Sequence, residues 1–167
     1  MPEQPDLAAR INIAEQRLDL LAADGSVQRS FPVSTSRYGT GNRDGSQQTP
    51  LGLHRICARF GDGEPIGRVF RARKPTDECV EPVTRVLEQE GGDADYITTR
   101  ILWLEGLEEG VNRGPGIDSR ERYIYIHGTH REDLLGQPAS IGCIRIANTA
   151  VIELYAALPE NAVILIE

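Results

Sequence analysis

No stretch of this chain approaches the roughly 20 consecutive apolar residues that a membrane-spanning helix requires, although hydrophobic residues make up 40% of its 167 residues. The opening MPEQPDLAAR has neither the basic start nor the apolar stretch of a secretory signal. The expectation is a cytoplasmic protein, with a periplasmic one as the alternative if the chain has been trimmed. No basic stripe occurs and the formal net charge is −7, which argues against a nucleic-acid partner. Cysteine is sparse. Cys57, Cys79 and Cys143 form an odd set in a domain this large, so no disulfide framework is expected. A single Cys57–Cys79 bridge stays open as an alternative in an oxidising compartment. Internal repeats, heptads and low-complexity tracts are also missing.

What is present fits one folded domain spanning residues 1–167. Its first half reads as β. Ile11 and Ile13, then Val27, Phe31 and Val33, alternate as in half-buried strands, with a hairpin at Asp24-Gly25. Residues 35–50 are rich in Gly, Ser, Thr and Asn and read as a loop. Strand character returns from Leu51 to Phe60. Residues 61–97 read as an insertion covering part of the surface, where only VTRVLEQE hints at a short helix. TTRILWLEGL and RYIYIHG read as strands. In the second, Ile124 and Ile126 take one face and Tyr123, Tyr125 and His127 the other. Val151, Ile152, Tyr155 and Leu158 predict a helix over Thr149–Leu158, with Asn148 or Thr149 as its cap. AVILIE then closes the chain as a buried strand.

The stretch YIHGTHREDLLGQPASIGCIRI, Tyr125 to Ile146, carries the chemistry. A thiol reacts as its thiolate, so it needs a base or a positive environment, and donors for the oxyanion it creates. Cys143 follows Gly142, where backbone can approach a substrate closely, and both residues offer backbone N–H groups for an oxyanion hole. His127 ends a strand that would hold its ring firmly. Arg145 could favour the thiolate or bind a carboxylate. Residue types and spacing alone leave two readings open: a Cys–His nucleophilic pair, or an inert buried cysteine beside a satisfied core histidine.

IHGT at residues 126–129, followed by SIGCIRI at 140–146, resembles the signature of the L,D-transpeptidase (YkuD-type) catalytic domain. That signature runs from a His-Gly segment to Ser-x-Gly-Cys, an apolar residue, then Arg or Asn. DGSVQRSFPVSTS resembles the family's early strand, TPLGLHRI at 49–56 its Thr-Pro-x-Gly strand opening, and the terminal helix with AVILIE its close. The resemblance implies a mainly β, β-sandwich-like domain with a short C-terminal helix. It implies His127 as base and Cys143 as acyl carrier, with the Gly128 carbonyl orienting the imidazole and Gly142 near the oxyanion. Arg145, Ser140, Tyr125 and Thr129 become substrate-contact candidates. The implied substrates are peptidoglycan stem peptides or muropeptides, without metal or other cofactor. Cleavage of a diaminopimelate–D-alanine bond as a cytoplasmic L,D-carboxypeptidase in muropeptide recycling is the expected role. Wall cross-linking and non-catalytic peptidoglycan binding are the alternatives. One departure stands out: Ile141 sits where many members carry a second histidine.

Other residues read more plainly. His130 lacks the close paired partners of a zinc site. Ser140 suits local loop bonding as well as substrate contact, and Arg145 suits bracing as well as binding. Trp103 reads as core, His54 as a surface or packed histidine, and Cys57 and Cys79 as inert thiols.

Overall fold

A computed structural model describes residues 6–82 and 96–167. Two-residue alternation builds its first strands. β1 (Ala9–Asn12) buries Ala9 and Ile11, β2 (Arg17–Leu21) buries Leu18 and Leu20, and β3 (Val27–Ser34) buries Phe31 and Val33. The Asp24-Gly25 turn joins β2 to β3, with Gly25 at φ +86° and Asp24 Oδ1 accepting the Ser26 N–H at 2.9 Å. Val27 departs from the expected half-buried set. It is 55% exposed, because the start of β3 runs past the core and leaves Arg29 exposed as well.

The remaining elements are β4 (Gly52–Phe60), β5 (Arg68–Arg71), β6 (Lys74–Cys79), β7 (Ile97–Gly106), β8 (Tyr125–Gly128), β9 (Ile144–Ile146), α1 (Asn148–Ala157) and β10 (Val163–Ile166). All ten strands form one sheet in the order β4-β10-β1-β2-β3-β9-β8-β7-β5-β6, and a β4–β7 pairing closes it on itself. A continuous sheet thus wraps into a sandwich-like body, and the β5–β6 hairpin branches from β7. Inside lie Ile11, Leu18, Ile56, Leu102, Ile126 and Ile144, packed with Val151, Leu154 and Leu158 of α1 and its end. The chain is therefore mainly β with one short helix near its C-terminus, and β10 slots between β1 and β4 as the final strand, with Ile164 and Ile166 buried. Among the described residues no helix is long and apolar enough to cross a membrane.

Three local expectations need correction. First, neither Asn148 nor Thr149 caps α1. Ala147 occupies the N-cap position without a side-chain bond, and Glu132 Oε1 accepts the Asn148 N–H at 3.0 Å instead. A carboxylate suits the positive end of a helix. Second, the strand read in RYIYIHG begins only at Tyr125. Tyr123 has φ +56°, which bends the chain out of extended geometry before β8. Third, the segment read as an insertion, with a short helix as its one expected element, contains the β5–β6 hairpin. Its turn places Ala72 and Arg73 at φ +47° and +67°, the paired left-handed geometry of a two-residue hairpin turn. Without glycine or asparagine there, the sequence carries no turn signal. The short helix expected in VTRVLEQE lies outside the described residues.

His54 shows how tightly the body is packed. It is fully buried on β4, with Nδ1 3.0 Å from the Gly52 carbonyl and Nε2 2.8 Å from Ser119 Oγ. Burial pushes its pKa down to about 4. The unfolded chain protonates this ring near pH 6.5. Folding stability is therefore complete above pH 6.5 and falls as the pH drops from 6.5 to 4, by at most about 3 kcal/mol from this group. We predict that His54→Gln flattens the dependence of Tm on pH across that window in thermal melts. A slope identical to that of the parent chain would refute the assignment.

Candidate active site

The central strands β7, β8 and β9 set the site. β8 pairs antiparallel with β7, Ile101 opposite His127 and Trp103 opposite Tyr125. It pairs parallel with β9, Ile126 opposite Ile144 and His127 opposite Arg145. Paired residues project to the same side of a sheet, and neighbours along a strand alternate. One face accordingly sends Leu102, Ile126, Ile144 and Ile146 into the core. The other carries Ile101, Trp103, Tyr125, His127 and Arg145. A second, smaller cluster of Phe70, Ile101 and Tyr125 forms on that outer face, with Trp103 and Cys143 packed against it.

Cys143 directly precedes β9 and falls beside Tyr125. Its Sγ lies 3.4 Å from the Tyr125 N–H nitrogen and 3.4 Å from the Tyr123 carbonyl oxygen. The left-handed turn at Tyr123 aims that carbonyl at the sulfur. His127 stands two residues further along the neighbouring strand, on the same face. Its ring is fully buried, and Nδ1 lies 2.7 Å from the Gly128 carbonyl. A carbonyl only accepts, so Nδ1 carries the proton and Nε2 is the basic nitrogen of the neutral ring.

The two flanking glycines are required for different reasons. At Gly142, φ is +133° and the nearest atoms to an added Cβ lie 3.6 Å away, so conformation rather than space demands glycine. At Gly128 an added Cβ would meet the Thr98 carbonyl at 2.5 Å and Asn148 Oδ1 at 2.8 Å. Asn148 packs here because Thr98 and Thr99 donate their hydroxyls to its Oδ1, at 2.5 and 2.6 Å, while its Nδ2 donates to the Thr129 carbonyl at 2.8 Å.

The other predicted site residues spread over distinct roles. Ser140 is fully buried. Its hydroxyl donates to the Cys143 carbonyl at 2.6 Å and accepts the Gly142 N–H at 3.2 Å, so it braces the nucleophile loop. Gly142 thus enters the site with its N–H already engaged. Thr129 is fully buried, and its Oγ1 accepts the Arg131 N–H at 3.1 Å. Arg145 is buried between β8 and β3, opposite both His127 and Ser34. The Tyr125 hydroxyl accepts from Arg73 Nη1 at 3.0 Å, and burial raises its pKa while Arg73 opposes that shift. His130 sits edge-on to Tyr96, 4.6 Å between ring centres. Cys57 and Cys79 are free thiols, and burial raises the Cys57 pKa, as befits an inert thiol.

Sequence reasoning missed three contributors. Thr49, of the TPLG segment, donates its hydroxyl to the Gly142 carbonyl at 3.0 Å and accepts the Ser36 N–H at 2.9 Å, which ties the 35–50 loop to the nucleophile loop. Arg122 binds the Gly41 and Gln48 carbonyls at 3.2 and 2.5 Å. Burial lowers its pKa, and the nearby charges of Asp44 and Cys143 raise it. A cation within electrostatic reach favours a thiolate. Trp103 is half-buried rather than central. It stacks on Tyr123 at 5.8 Å and shares with Tyr123, Arg113, Asp118 and Arg120 the wall of a cavity of about 380 Å³. Only the Thr-Pro-x-Gly pattern gave any sequence signal, and it pointed to a strand rather than to the site.

A family model, YkuD, described as the L,D-transpeptidase catalytic domain, matches residues 7–166. No curated protein sequence matches the chain. Among solved structures, an L,D-transpeptidase from Mycobacterium smegmatis is similar at 14% identity and TM-score 0.54, over 97% of this chain and 58% of the other. The L,D-transpeptidase from Xylanimonas cellulosilytica is similar at 17% identity and TM-score 0.53, over 100% of this chain and 63% of the other. L,D-transpeptidase 3 from Mycobacterium tuberculosis, solved with a faropenem-derived adduct, is similar at 13% identity and TM-score 0.55, over 98% of this chain and 60% of the other. At such identities the likeness speaks for the fold. The chain spans about three-fifths of the length of these proteins.

The glycine geometry predicts graded effects. Gly142→Ala should cost about 1–3 kcal/mol, because φ +133° is a conformation that residues with a side chain rarely adopt. Gly128→Ala should cost more, because the obstructing Thr98 carbonyl is backbone and cannot swing aside. Urea titrations of both variants measure the difference, and equal costs would contradict this account of the packing.

Proposed function

Because the chain belongs to the YkuD family of L,D-transpeptidase catalytic domains, we propose that it is a cysteine-dependent acyltransferase acting on peptidoglycan stem peptides, with hydrolysis as its main outcome. The observation that carries this reading is the lodging of the Cys143 sulfur between the Tyr123 carbonyl and the Tyr125 N–H, on the sheet face that also presents His127.

In the proposed reaction, His127 Nε2 takes the Cys143 proton. The thiolate attacks the diaminopimelate carbonyl that is linked to D-alanine. Backbone N–H groups at residues 142 and 143 receive the oxyanion, and the Gly142 N–H exchanges its bond to Ser140 Oγ for it. The protonated His127 returns its proton to the departing D-alanine amine, leaving a thioester on Cys143. Water, deprotonated by His127, then attacks the thioester, the C–S bond breaks, and the tripeptide leaves with a new carboxylate while His127 returns that proton to the Cys143 thiolate. The Gly128 carbonyl holds the ring in one tautomer throughout and stabilises the imidazolium between steps. Arg122 adds positive potential near the thiolate.

Hydrolysis is favoured over cross-linking at Ile141. This residue is 42% exposed beside the nucleophile and offers no hydrogen bond. A transferase must position an amine and restrict water, whereas water needs less positioning. Trimming of soluble muropeptides in the cytoplasm is the setting we attach to this activity, and recovery of the native protein from the periplasm would overturn that setting.

Incubation with a disaccharide tetrapeptide, with and without an amine acceptor, tests the outcome by mass spectrometry. Free D-alanine and tripeptide should dominate. Cross-linked dimers in excess of tripeptide would restore transpeptidation, and binding without either product would favour a non-catalytic module. Cys143→Ala should reduce turnover more than about a thousandfold and abolish the covalent adduct formed with a carbapenem. Cys57→Ala and Cys79→Ala should leave both intact. An adduct that persists in Cys143→Ala would remove it as the nucleophile.

A further inference from the structure

The two tyrosines whose main chain frames the Cys143 sulfur also hold a guanidinium with their side chains. Arg73, at the turn of the β5–β6 hairpin, donates from Nη1 to the Tyr125 hydroxyl at 3.0 Å. Its Cζ lies 5.3 Å from the centre of the Tyr123 ring and 4.9 Å from that of Trp103, which itself stacks on Tyr123. The hairpin is anchored by the buried Phe70, and β5 pairs with β7 through Val69 and Phe70. The cation is therefore positioned by the fold and is not carried on a loose side chain.

Its charge balance sets it apart from its neighbours. Arg68 pairs with Glu64 at 2.9 Å and Arg71 with Glu78 at 3.6 Å. Arg73 has no carboxylate within ion-pair distance among the described residues; what holds it is aromatic faces and a phenol. Aromatic faces orient a guanidinium while leaving donors of its planar fork for a carboxylate, which it can bind with two parallel hydrogen bonds. The hydrogen bond to Tyr125 also keeps Arg73 more firmly protonated than usual.

Resting on the function proposed above, we propose that Arg73 is a specificity-determining residue that binds a free carboxylate of the donor stem peptide. In a tetrapeptide donor the terminal D-alanine carboxylate lies one residue, about 3.8 Å of chain, beyond the carbonyl that Cys143 attacks. The diaminopimelate side chain carries the other carboxylate, further from that carbonyl at the end of a flexible chain. Either would anchor the donor against the Tyr123–Tyr125 wall and hold the scissile carbonyl over the sulfur.

Binding, measured separately from turnover, tests this. In the Cys143→Ala protein, calorimetry compares a stem tetrapeptide with two analogues. One is its C-terminal amide. The other has lysine in place of diaminopimelate, which removes the side-chain carboxylate. The expected result is that one analogue binds about tenfold or more weakly than the parent and so identifies the carboxylate that is read. Adding Arg73→Gln should weaken the parent to the level of that analogue and leave the analogue's own affinity unchanged, and Arg73→Lys should recover part of the loss. Equal affinity for all three peptides, a preference that survives Arg73→Gln, a uniform loss across all three, or no binding at all would each overturn the proposal. Failure of the hydrolase reading looks different: the Cys143 enzyme would release no D-alanine while the Arg73-dependent preference remained.

Discussion

The parallel pairing of β8 with β9 is the constraint on which the site depends. Both strands are short, and both turn isoleucines inward: Ile126 on one, Ile144 and Ile146 on the other. A slip of one residue in that register would send every one of those side chains to the wrong face. Burial of the isoleucines thus fixes the register, and the register fixes which residues of the outer face meet. Tyr125 falls beside Cys143 and His127 beside Arg145 without any direct bond between the two reactive groups being needed to bring them together. Apolar packing on one side of the sheet determines polar geometry on the other.

Around that pairing, buried hydrogen bonds remove the remaining freedom. The nucleophile loop is held from within by Ser140 and from outside by Thr49. The histidine strand is held at its end by Asn148, whose amide gathers Thr98, Thr99 and Thr129. Thr99 reaches this network at φ +71°, an uncommon conformation for a β-branched residue, at the bulge where β7 slips register against β8. Strain of this kind persists where surrounding contacts over-determine it. Here those contacts are Asn148 and the Gly67 N–H, which donates to the same Thr99 hydroxyl at 2.9 Å.

Much of this was legible in the sequence, for identifiable reasons. β1 alternates cleanly, β10 is a short unbroken apolar run at the end of the chain, and the Asp24-Gly25 turn has the residue types its backbone requires. His127 and Cys143 lie in a motif with a recognisable pattern. Other features left no local trace. The β5–β6 turn uses Ala72 and Arg73 in conformations that glycine or asparagine would normally signal. Arg122 and Arg73 reach the site only through tertiary packing, from a turn before β8 and from a distant hairpin. Glu132 serves as the cap of α1 from sixteen residues upstream, where no rule of local spacing would look for it.

The closure of the sheet through β4 and β7 has a further consequence. A ring has no ends, so among the described strands only β6 pairs with a single other strand. That strand reads Lys-Pro-Thr-Asp-Glu-Cys, is mostly exposed, and carries Lys74, Pro75, Asp77 and Glu78. A proline withholds a ladder donor, and charges of both signs make docking of a foreign strand costly. The hairpin that delivers a cation to the reactive face also guards this terminal edge of the sheet against strand-to-strand aggregation.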